Sequence, residues 1–500
     1  MLAIEFKEIY TAWLQCKRGK GKSPQAQLYA INLLDNLFAT LYQLLHQHWS
    51  PKAPICFVIH YPKAREVYAA QFSDRVVHHW LVPQLEQCYQ GYFINDVYSN
   101  IKGKGTHSAV KRLKAFMRSL SDQSSPAYFL QLDIANFFNS IDKPVLFQLL
   151  QRRLKQQVRK TAISAEKAND LRQVCHQLLK QDAGACARQI GRAEEWAHIP
   201  AHKRLKNAGI DKGLPIGNLS SQFFANVYLN ELDQFIKHQL KCRHYLRYVD
   251  DFILLHPSKE QLIQWHGAIE QFIQQQLLLT LRPEIILHPL SHGANFLGYI
   301  VRPHYCLVRR RVVGQLVQRL EQFQVQYIKG NQNIGWCLSL PATAREPLNA
   351  VLASYLGHFK QAKHYKLLIR IWQRFLWLAL LFSQRECYLT PAWKPVYVSS
   401  FFSQQSYFQS RYPNAQVRLQ KGYQMLSLYP KAAKNNAIPL PSPNLNRANK
   451  ENQFFTAVEL SISAQVTRVI VKQEGYLPGG LRERCVNQLF INPGVPLCIH

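Results

Sequence analysis

Apolar and polar positions divide the chain into stretches of different period. Residues 1–50 read as helical, most regularly in the amphipathic run from Leu33 to Leu45. Pro51 and Pro54 close this region, and the unbroken apolar run Ile55 to Ile59 predicts a strand. A second apolar run, Tyr128 to Leu132, stops at Asp133 and is followed by an aromatic cluster. The stretch YLRYVDDFILL (245–255) sets Asp250 and Asp251 between two apolar runs, which predicts a strand, a tight turn carrying both acids and a returning strand. Between Asp133 and this stretch lies a Lys-, Arg- and Gln-rich insert, about 144–208, predicted helical. Gly213, Pro215 and Gly217 then bend the chain into a long helix, with Asn218 to Ser221 placed to cap its orphan amides. Residues 302–382 read as helical. From about Arg385 the pattern changes: Pro391, Pro395, Pro413 and the run 439–452 suggest a linker, followed by a small α/β module with strands such as 466–473. The resulting fold class is α+β, an antiparallel sheet backed by helices, in four regions: 1–54, 55–300, 301–384 and 385–500.

At 500 residues the chain is long enough for two to four domains. Its 61 Lys and Arg against 30 Asp and Glu give a formal net charge of +31, which calls for a polyanionic partner. A basic membrane-surface protein is disfavoured because the charge is spread through folded segments and not gathered on one amphipathic helix. The most apolar span, Ile371 to Phe382, is broken by Arg374 and too short to cross a bilayer, so it reads as a buried helix. The 11 cysteines form no CxxC pair, and the opening MLAIEFKEIY lacks the basic start and apolar run of a signal peptide. A reducing cytoplasm is the expected setting. Cys175, Cys186, His198 and His202 have a spacing foreign to zinc fingers and ribbons, and a basic, solvated helical insert facing the polyanionic partner is the better reading there. The segment GKGTH (103–107) lacks the P-loop spacing and its Lys-Ser/Thr ending.

Two acids in a turn are by themselves an ordinary solvated feature. The third acid, Asp133, changes the reading. One carboxylate at the end of a strand and two on a neighbouring hairpin can hold a pair of Mg²⁺ ions, and such a pair drives in-line nucleotidyl transfer.

At these residues the chain resembles reverse transcriptases, in particular the bacterial lineage of diversity-generating retroelement and defence-associated (group II intron-like) enzymes. YVDD is similar to palm motif C and LDIANFF (132–138) to motif A. GLPIGNLSSQFFANVYLNELDQF (213–235) resembles motif B as diversity-generating retroelements carry it, and FLGYIV (296–301) resembles the primer grip. PKAREVYAAQFSDRVVHH (62–79) and NIKGKGTHSAV (100–110) resemble the fingers motifs. The six follow the family's order over about residues 55–310.

The resemblance implies a right-hand polymerase, with fingers and palm over 55–300, a helical thumb over 301–384 and a C-terminal accessory domain over 385–500. It implies catalysis at Asp133, Asp250 and Asp251, and metal binding at these three together with Ile134, the cofactor being two Mg²⁺ ions for which Mn²⁺ can substitute. The incoming nucleotide is expected at Lys63, Arg65, Phe138, Ile216 and Gln222. Arg65, before Lys63, would hold the triphosphate, and Phe138 beneath the sugar would reject a ribose 2′-hydroxyl. Ile216 stands where retroviral-type enzymes carry Gln. Template and primer are expected at Lys102, Lys104, Ser221, Phe296, Leu297, Gly298, Tyr299, Arg309, Arg310 and Arg311.

The implied function is an RNA-directed DNA polymerase that copies an RNA template into cDNA, error-prone as in diversity-generating retroelements. An antiviral defence reverse transcriptase of the same lineage keeps the chemistry and changes the biology. A non-catalytic RNA-binding scaffold is the reading from another class, and three intact acids argue against it. The implied partners are template RNA, cDNA and dNTPs, with a small accessory protein and a structured RNA; a homo-oligomer is left open and no membrane is expected. Residues 407–426 are faintly similar to the mismatch-recognition domain of MutS proteins, but Tyr423-Gln424-Met425 stands where that family has its Phe-x-Glu wedge.

Overall fold

The computed structural model describes residues 4–21, 23–60, 63–122, 126–209, 211–331, 333–385, 388–395, 400–429, 465–477 and 481–494. They belong to two compact units, Met1–Ala294 and Asn295–His500.

The first unit opens with the expected helices, α1 (Phe6–Lys17), α2 (Pro24–Ile31) and α3 (Leu33–Leu45). Ser23 caps α2 by accepting from the Ala26 amide, and Pro24 follows at the one helical position where a missing N–H costs nothing. Strands β1 (Ile55–Ile59) and β2 (Arg65–Ala69) form an antiparallel hairpin, followed by α4 (Phe72–Tyr89) and α5 (Thr106–Ser121). Strand β3 (Tyr128–Asp133) and the short α6 (Phe137–Ser140) lead into the insert: α7 (Lys143–Arg159), α8 (Ala165–Lys180), α9 (Ala183–Cys186), β4 (Arg188–Gln189) and α10 (Ala193–Ala197). After it come α11 (Leu219–Gln234), β5 (His244–Tyr248), β6 (Asp251–His256), α12 (Lys259–Leu277) and β7 (Ile286–Pro289).

The central sheet is antiparallel throughout, in the order β5-β6-β3-β7. Phe129, Leu130 and Leu132 of β3 and Phe252 to Leu255 of β6 are at most 2 % exposed. The middle of the sheet is therefore covered on both faces, which is why these strands read as unbroken apolar runs and not as alternation. Helix α12 packs on β3 and β6, and α5 on β5 and β6. Helix α11 is buried on nearly every side, and each large apolar side chain it buries contributes roughly 1.5–3 kcal/mol.

The insert differs from its solvated reading. Leu146, Leu150 and Leu154 of α7, and Leu171, Cys175 and Leu179 of α8, recur at every fourth position and lie in the main core; most of the Lys, Arg and Gln residues take the other faces, while Lys143 and Gln157 are buried as well. Strand β4 extends the β1–β2 sheet in parallel with β1. Cys175 is fully buried while Cys186 is exposed, and among the described residues no group of three His, Cys, Asp or Glu could hold a metal ion, so zinc has no site here. The nine described cysteines are all free.

From the last residue of the first unit onward come β8 (Ala294–Phe296), β9 (Tyr299–Val301) and β10 (Cys306–Val308), in the order β10-β9-β8. Helix α13 (Arg310–Tyr327) follows, but the helical reading of 302–382 fails at the hairpin β11 (Ile328–Asn331) and β12 (Gly335–Ser339). Gly335, at φ +82°, leaves no room for a side chain, since a Cβ would lie 2.5 Å from the Ile491 carbonyl oxygen. Then come α14 (Ala342–Phe359), α15 (Tyr365–Arg374), α16 (Leu378–Leu381), the pair β13 (Phe382–Arg385) and β14 (Tyr388–Pro391), α17 (Phe401–Arg411), β15 (Gln416–Lys421), β16 (Gln424–Leu428), β17 (Val466–Tyr476) and β18 (Arg482–Ile491). The second sheet runs β11-β12-β18-β17-β15-β16, and one core joins Leu316 and Leu338 to Val469 and Leu489. Regions 301–384 and 385–500 thus share a sheet and a core. The apolar span 371–382 is a break between α15 and α16 and not one helix, and no described helix is long and apolar enough to cross a membrane. The run 439–452 lies outside the described residues.

Candidate active site

The register of the central sheet places Asp133, the last residue of β3, opposite Asp251, the first residue of β6. Only Val249 and Asp250 form the turn, so one acid sits in the turn and the other already in the strand, one residue away from the sequence expectation. Asp250, in the turn, and Asp251, in the strand, both lie close enough to Asp133 for its charge to act on theirs, which brings all three acids together. Gln131, two residues before Asp133 on β3, donates its Nε2 to Asp251 Oδ1 at 2.9 Å. Arg282 places Nε 3.0 Å from Asp133 Oδ2. A bridge between Ile134 and Leu281 holds the backbone of Arg282 beside β3. The Ile134 side chain itself is buried in the core.

Burial raises all three carboxyl pKa values. Asp251 is pushed up to about 7, opposed chiefly by the Gln131 hydrogen bond. Asp250 is pushed up to about 6 by burial and then by the Asp133 charge. Asp133 is raised by burial and held back by Arg282. Like charges this close titrate as a group, and a cation beside them favours their ionised form. Oxygen-only donors of this kind suit Mg²⁺ or Mn²⁺. The oxygen chemistry suits a hard divalent ion, but the three side chains as they stand do not make a group that could hold one.

Of the nucleotide-side candidates, only Lys63 and Arg65 are linked to this cluster by their charges. Lys63 and Arg65 are exposed, and their charges lower the pKa of Asp133 and Asp250 respectively. Phe138 is half-buried, its ring edge-on to the core residue Phe137 at 5.4 Å. The Ile216 carbonyl accepts from the Tyr68 amide at 2.7 Å, tying the motif B bend to β2 and leaving its side chain half-buried. Gln222 is also half-buried, in the first turn of α11.

The template and primer candidates differ in exposure. Ser221 is 2 % exposed and lies within the helix packing, not on a surface. Asn218 does not cap α11 with its side chain; its Oδ1 accepts instead from the Ala70 amide at 3.3 Å, fastening the bend to the end of β2. Lys102 is exposed, but Lys104 donates its Nζ to the Asn95 carbonyl and side chain and lies over the Tyr98 ring at 5.4 Å. In the second unit Phe296 and Tyr299 are fully buried, with Tyr299 stacked on His358 at 4.1 Å and donating to its carbonyl. Leu297 and Gly298, at φ +50° and +89°, form the tip between them. Arg309, Arg310 and Arg311 are exposed at the start of α13, where the helix dipole gives cations no support.

Sequence reasoning missed four groups that hold the site. Arg282 gave no signal, because only the fold brings it to Asp133. Gln131 was hidden inside an apolar run. Arg247 and Asp233, both 0 % exposed, form a two-pronged ion pair at 2.6 and 2.8 Å. Ser99 and Asn226 join them to the turn. An arginine inside the strand YLRY was a readable signal, since a buried guanidinium requires a buried partner.

Residues 61–301 match the family described as reverse transcriptase (RNA-dependent DNA polymerase). Among curated proteins, the chain is 23 % identical over 304 residues to the group II intron-encoded protein LtrA of Lactococcus lactis subsp. cremoris, a match covering 48 % of this chain and 45 % of that protein. The match thus spans less than half of the relative's own length. Similar solved structures include telomerase from Candida albicans with a TWJ fragment of telomeric RNA, at TM-score 0.37 and 12 % identity, covering 68 % of this chain and 61 % of that one. Apo telomerase from Candida tropicalis truncated from its C-terminal domain has TM-score 0.38 and 11 % identity, covering 55 % and 60 %.

Proposed function

We propose that the chain is an RNA-directed DNA polymerase, extending a primer by nucleotidyl transfer on an RNA template. The observation that carries this reading is the pairing of Asp133 with Asp251 across β3 and β6, with Asp250 in the adjoining turn within reach of the Asp133 charge, inside a stretch that matches the reverse transcriptase family. Asp133, Asp250 and Asp251 would hold divalent metal, which when bound acidifies the primer 3′-hydroxyl and stabilises the leaving pyrophosphate. Gln131 keeps Asp251 oriented, and Arg282 keeps Asp133 in place. Arg65 and Lys63 meet the triphosphate as cations, and Phe138 lies under the sugar and excludes a 2′-hydroxyl. The exposed arginines at the start of α13 and the net charge of +31 support contact with the template–primer backbone.

Within this class, the motif B sequence and Ile216 favour a diversity-generating retroelement enzyme that makes mutagenised cDNA with a small accessory protein and a structured RNA. The defence reading shares every one of these residues. Ile216 has no polar group to hold a correct base pair, and one missing hydrogen bond of about 0.5–1.5 kcal/mol lowers accuracy by several-fold to about tenfold. The test is extension of a DNA primer on an RNA template with dNTPs in Mg²⁺ or Mn²⁺, followed by sequencing of cDNA from wild type and Ile216→Gln. Absence of any extension overturns the polymerase reading. Rare errors spread evenly over the four template bases, or an adenine-biased spectrum unchanged by Gln, overturn the error-prone reading alone.

A further inference from the structure

The turn that carries Asp250 is strained. Val249 adopts φ +58°, the left-handed region that a β-branched side chain rarely enters. Such a conformation persists only where its surroundings over-determine it. Here both backbone groups of Val249 are gripped. Its amide donates to Ser99 Oγ at 2.9 Å, and its carbonyl accepts from Arg247 Nη1 at 2.9 Å.

Each grip is itself anchored. The Arg247 guanidinium is spent on Asp233 through Nε and Nη2 and on Asn226 Oδ1 at 3.2 Å through Nη1, and Tyr245 adds its hydroxyl to Asp233 Oδ1 at 2.6 Å. Asn226 of α11 donates to the Ser99 carbonyl at 2.9 Å, and its Oδ1 lies 3.5 Å from the Ser99 hydroxyl. The segment carrying Ser99 runs parallel to β5: the Arg247 amide donates to the Asp96 carbonyl and the Tyr98 amide to the Arg247 carbonyl, each at 3.0 Å. Ser99, Asn226, Asp233 and Arg247 are each at most 2 % exposed. A chain of buried polar groups therefore runs from the long helix α11, through the residue preceding NIKGKGTH, to the one residue whose backbone decides where Asp250 and Asp251 stand.

We infer that Ser99 is a positioning residue for the carboxylates: with Arg247 it holds Val249 left-handed, and so sets the direction in which Asp250 and Asp251 present their oxygens to divalent metal. This rests on the polymerase reading for its catalytic consequence, but the positioning itself is a property of the turn. Losing the hydroxyl lets Val249 relax toward an ordinary negative φ and swings the adjacent aspartates away from Asp133. A glycine at 249 takes a positive φ without strain, so it removes the need for the brace.

The experiment compares wild type, Ser99→Ala, Ser99→Thr and the double variant Ser99→Ala with Val249→Gly. Three readouts are taken on the full chain: Mn²⁺ binding by electron paramagnetic resonance with the metal alone, primer extension at saturating and at limiting dNTP, and the thermal midpoint. Ser99→Ala is expected to weaken Mn²⁺ binding and lower kcat, each by about three- to tenfold for one lost hydrogen bond, with KM for dNTP little changed. Ser99→Thr keeps the hydroxyl and should keep most of the binding, and Val249→Gly should restore it in the double variant although the midpoint does not recover. Mn²⁺ binding that is unchanged in Ser99→Ala overturns the inference. So does a loss that tracks the thermal midpoint and is not restored by Val249→Gly. A wild type that binds Mn²⁺ but extends no primer overturns the polymerase reading and leaves the binding comparison to decide the role of Ser99. A wild type that does neither overturns both.

Discussion

Arg282 holds Asp133 from two sides: Nε lies 3.0 Å from the carboxylate, and the Arg282 amide donates to the Asp133 carbonyl at 2.9 Å. Its charge also favours the ionised forms of Asp250 and Asp251. Both partners are partly open to water, 45 % and 34 % exposed, so the pair adds little to stability. Arg282→Gln should therefore move the thermal midpoint by no more than about 1–2 °C. It should shift the acidic limb of the extension pH–rate profile upward, because carboxylates that lose a nearby cation ionise at higher pH. An unmoved limb would show that Arg282 has no electrostatic role.

The raised carboxyls give the fold itself a pH dependence. Asp250 at about 6 and Asp251 at about 7 bind protons more tightly in the folded chain than at the ordinary value of 3.8. Their contribution is fully present below about pH 4 and is lost as pH rises through 6 and 7, where the buried charges form. Without divalent metal, Asp251→Asn should then melt above wild type at pH 8, with the difference shrinking toward pH 5. Added Mg²⁺ should raise the wild-type midpoint at pH 8 more than that of the variant. Scanning calorimetry at the two pH values, with and without Mg²⁺, measures this directly; a variant that melts below wild type at pH 8 would refute it.

Gly217 sits at φ +121°, and a Cβ there would lie 2.8 Å from Val67 Cγ1 and 2.9 Å from the Tyr68 carbonyl oxygen. Gly217→Ala must push the motif B bend off β2 at a cost on the order of 1–3 kcal/mol. The displaced residue is Ile216, beside the proposed nucleotide. The expected outcome is a KM for dNTP raised by about three- to tenfold with affinity for RNA retained. Equal losses in RNA binding and dNTP use would mean that the whole domain, not the bend, is disturbed.

The central sheet was legible because its strands are short, apolar and end on acids, so that Asp133, Asp250 and Asp251 stand out in the sequence itself. The nearly all-buried helix after Gly217 was legible for the same reason. What escaped was long-range: Arg282 is 149 positions from Asp133 in the chain, and no local period links them. In the insert, the four-residue spacing of Leu146, Leu150 and Leu154 was present in the sequence but outweighed by the surrounding Lys, Arg and Gln. The β11–β12 hairpin was lost within a helical stretch because its strand partner, β18, lies about 150 residues later.

The most direct measurement is primer extension by Asp250→Asn beside its RNA affinity. If Asp133, Asp250 and Asp251 together hold the divalent metal for nucleotidyl transfer, the substitution removes one metal ligand while adding no bulk to the turn. Extension on an RNA template should fall below a few per cent of wild type, while binding of the same RNA stays within about twofold. Extension by the variant at a substantial fraction of the wild-type rate, with RNA binding unchanged, would contradict the assignment of this carboxylate cluster as the active site.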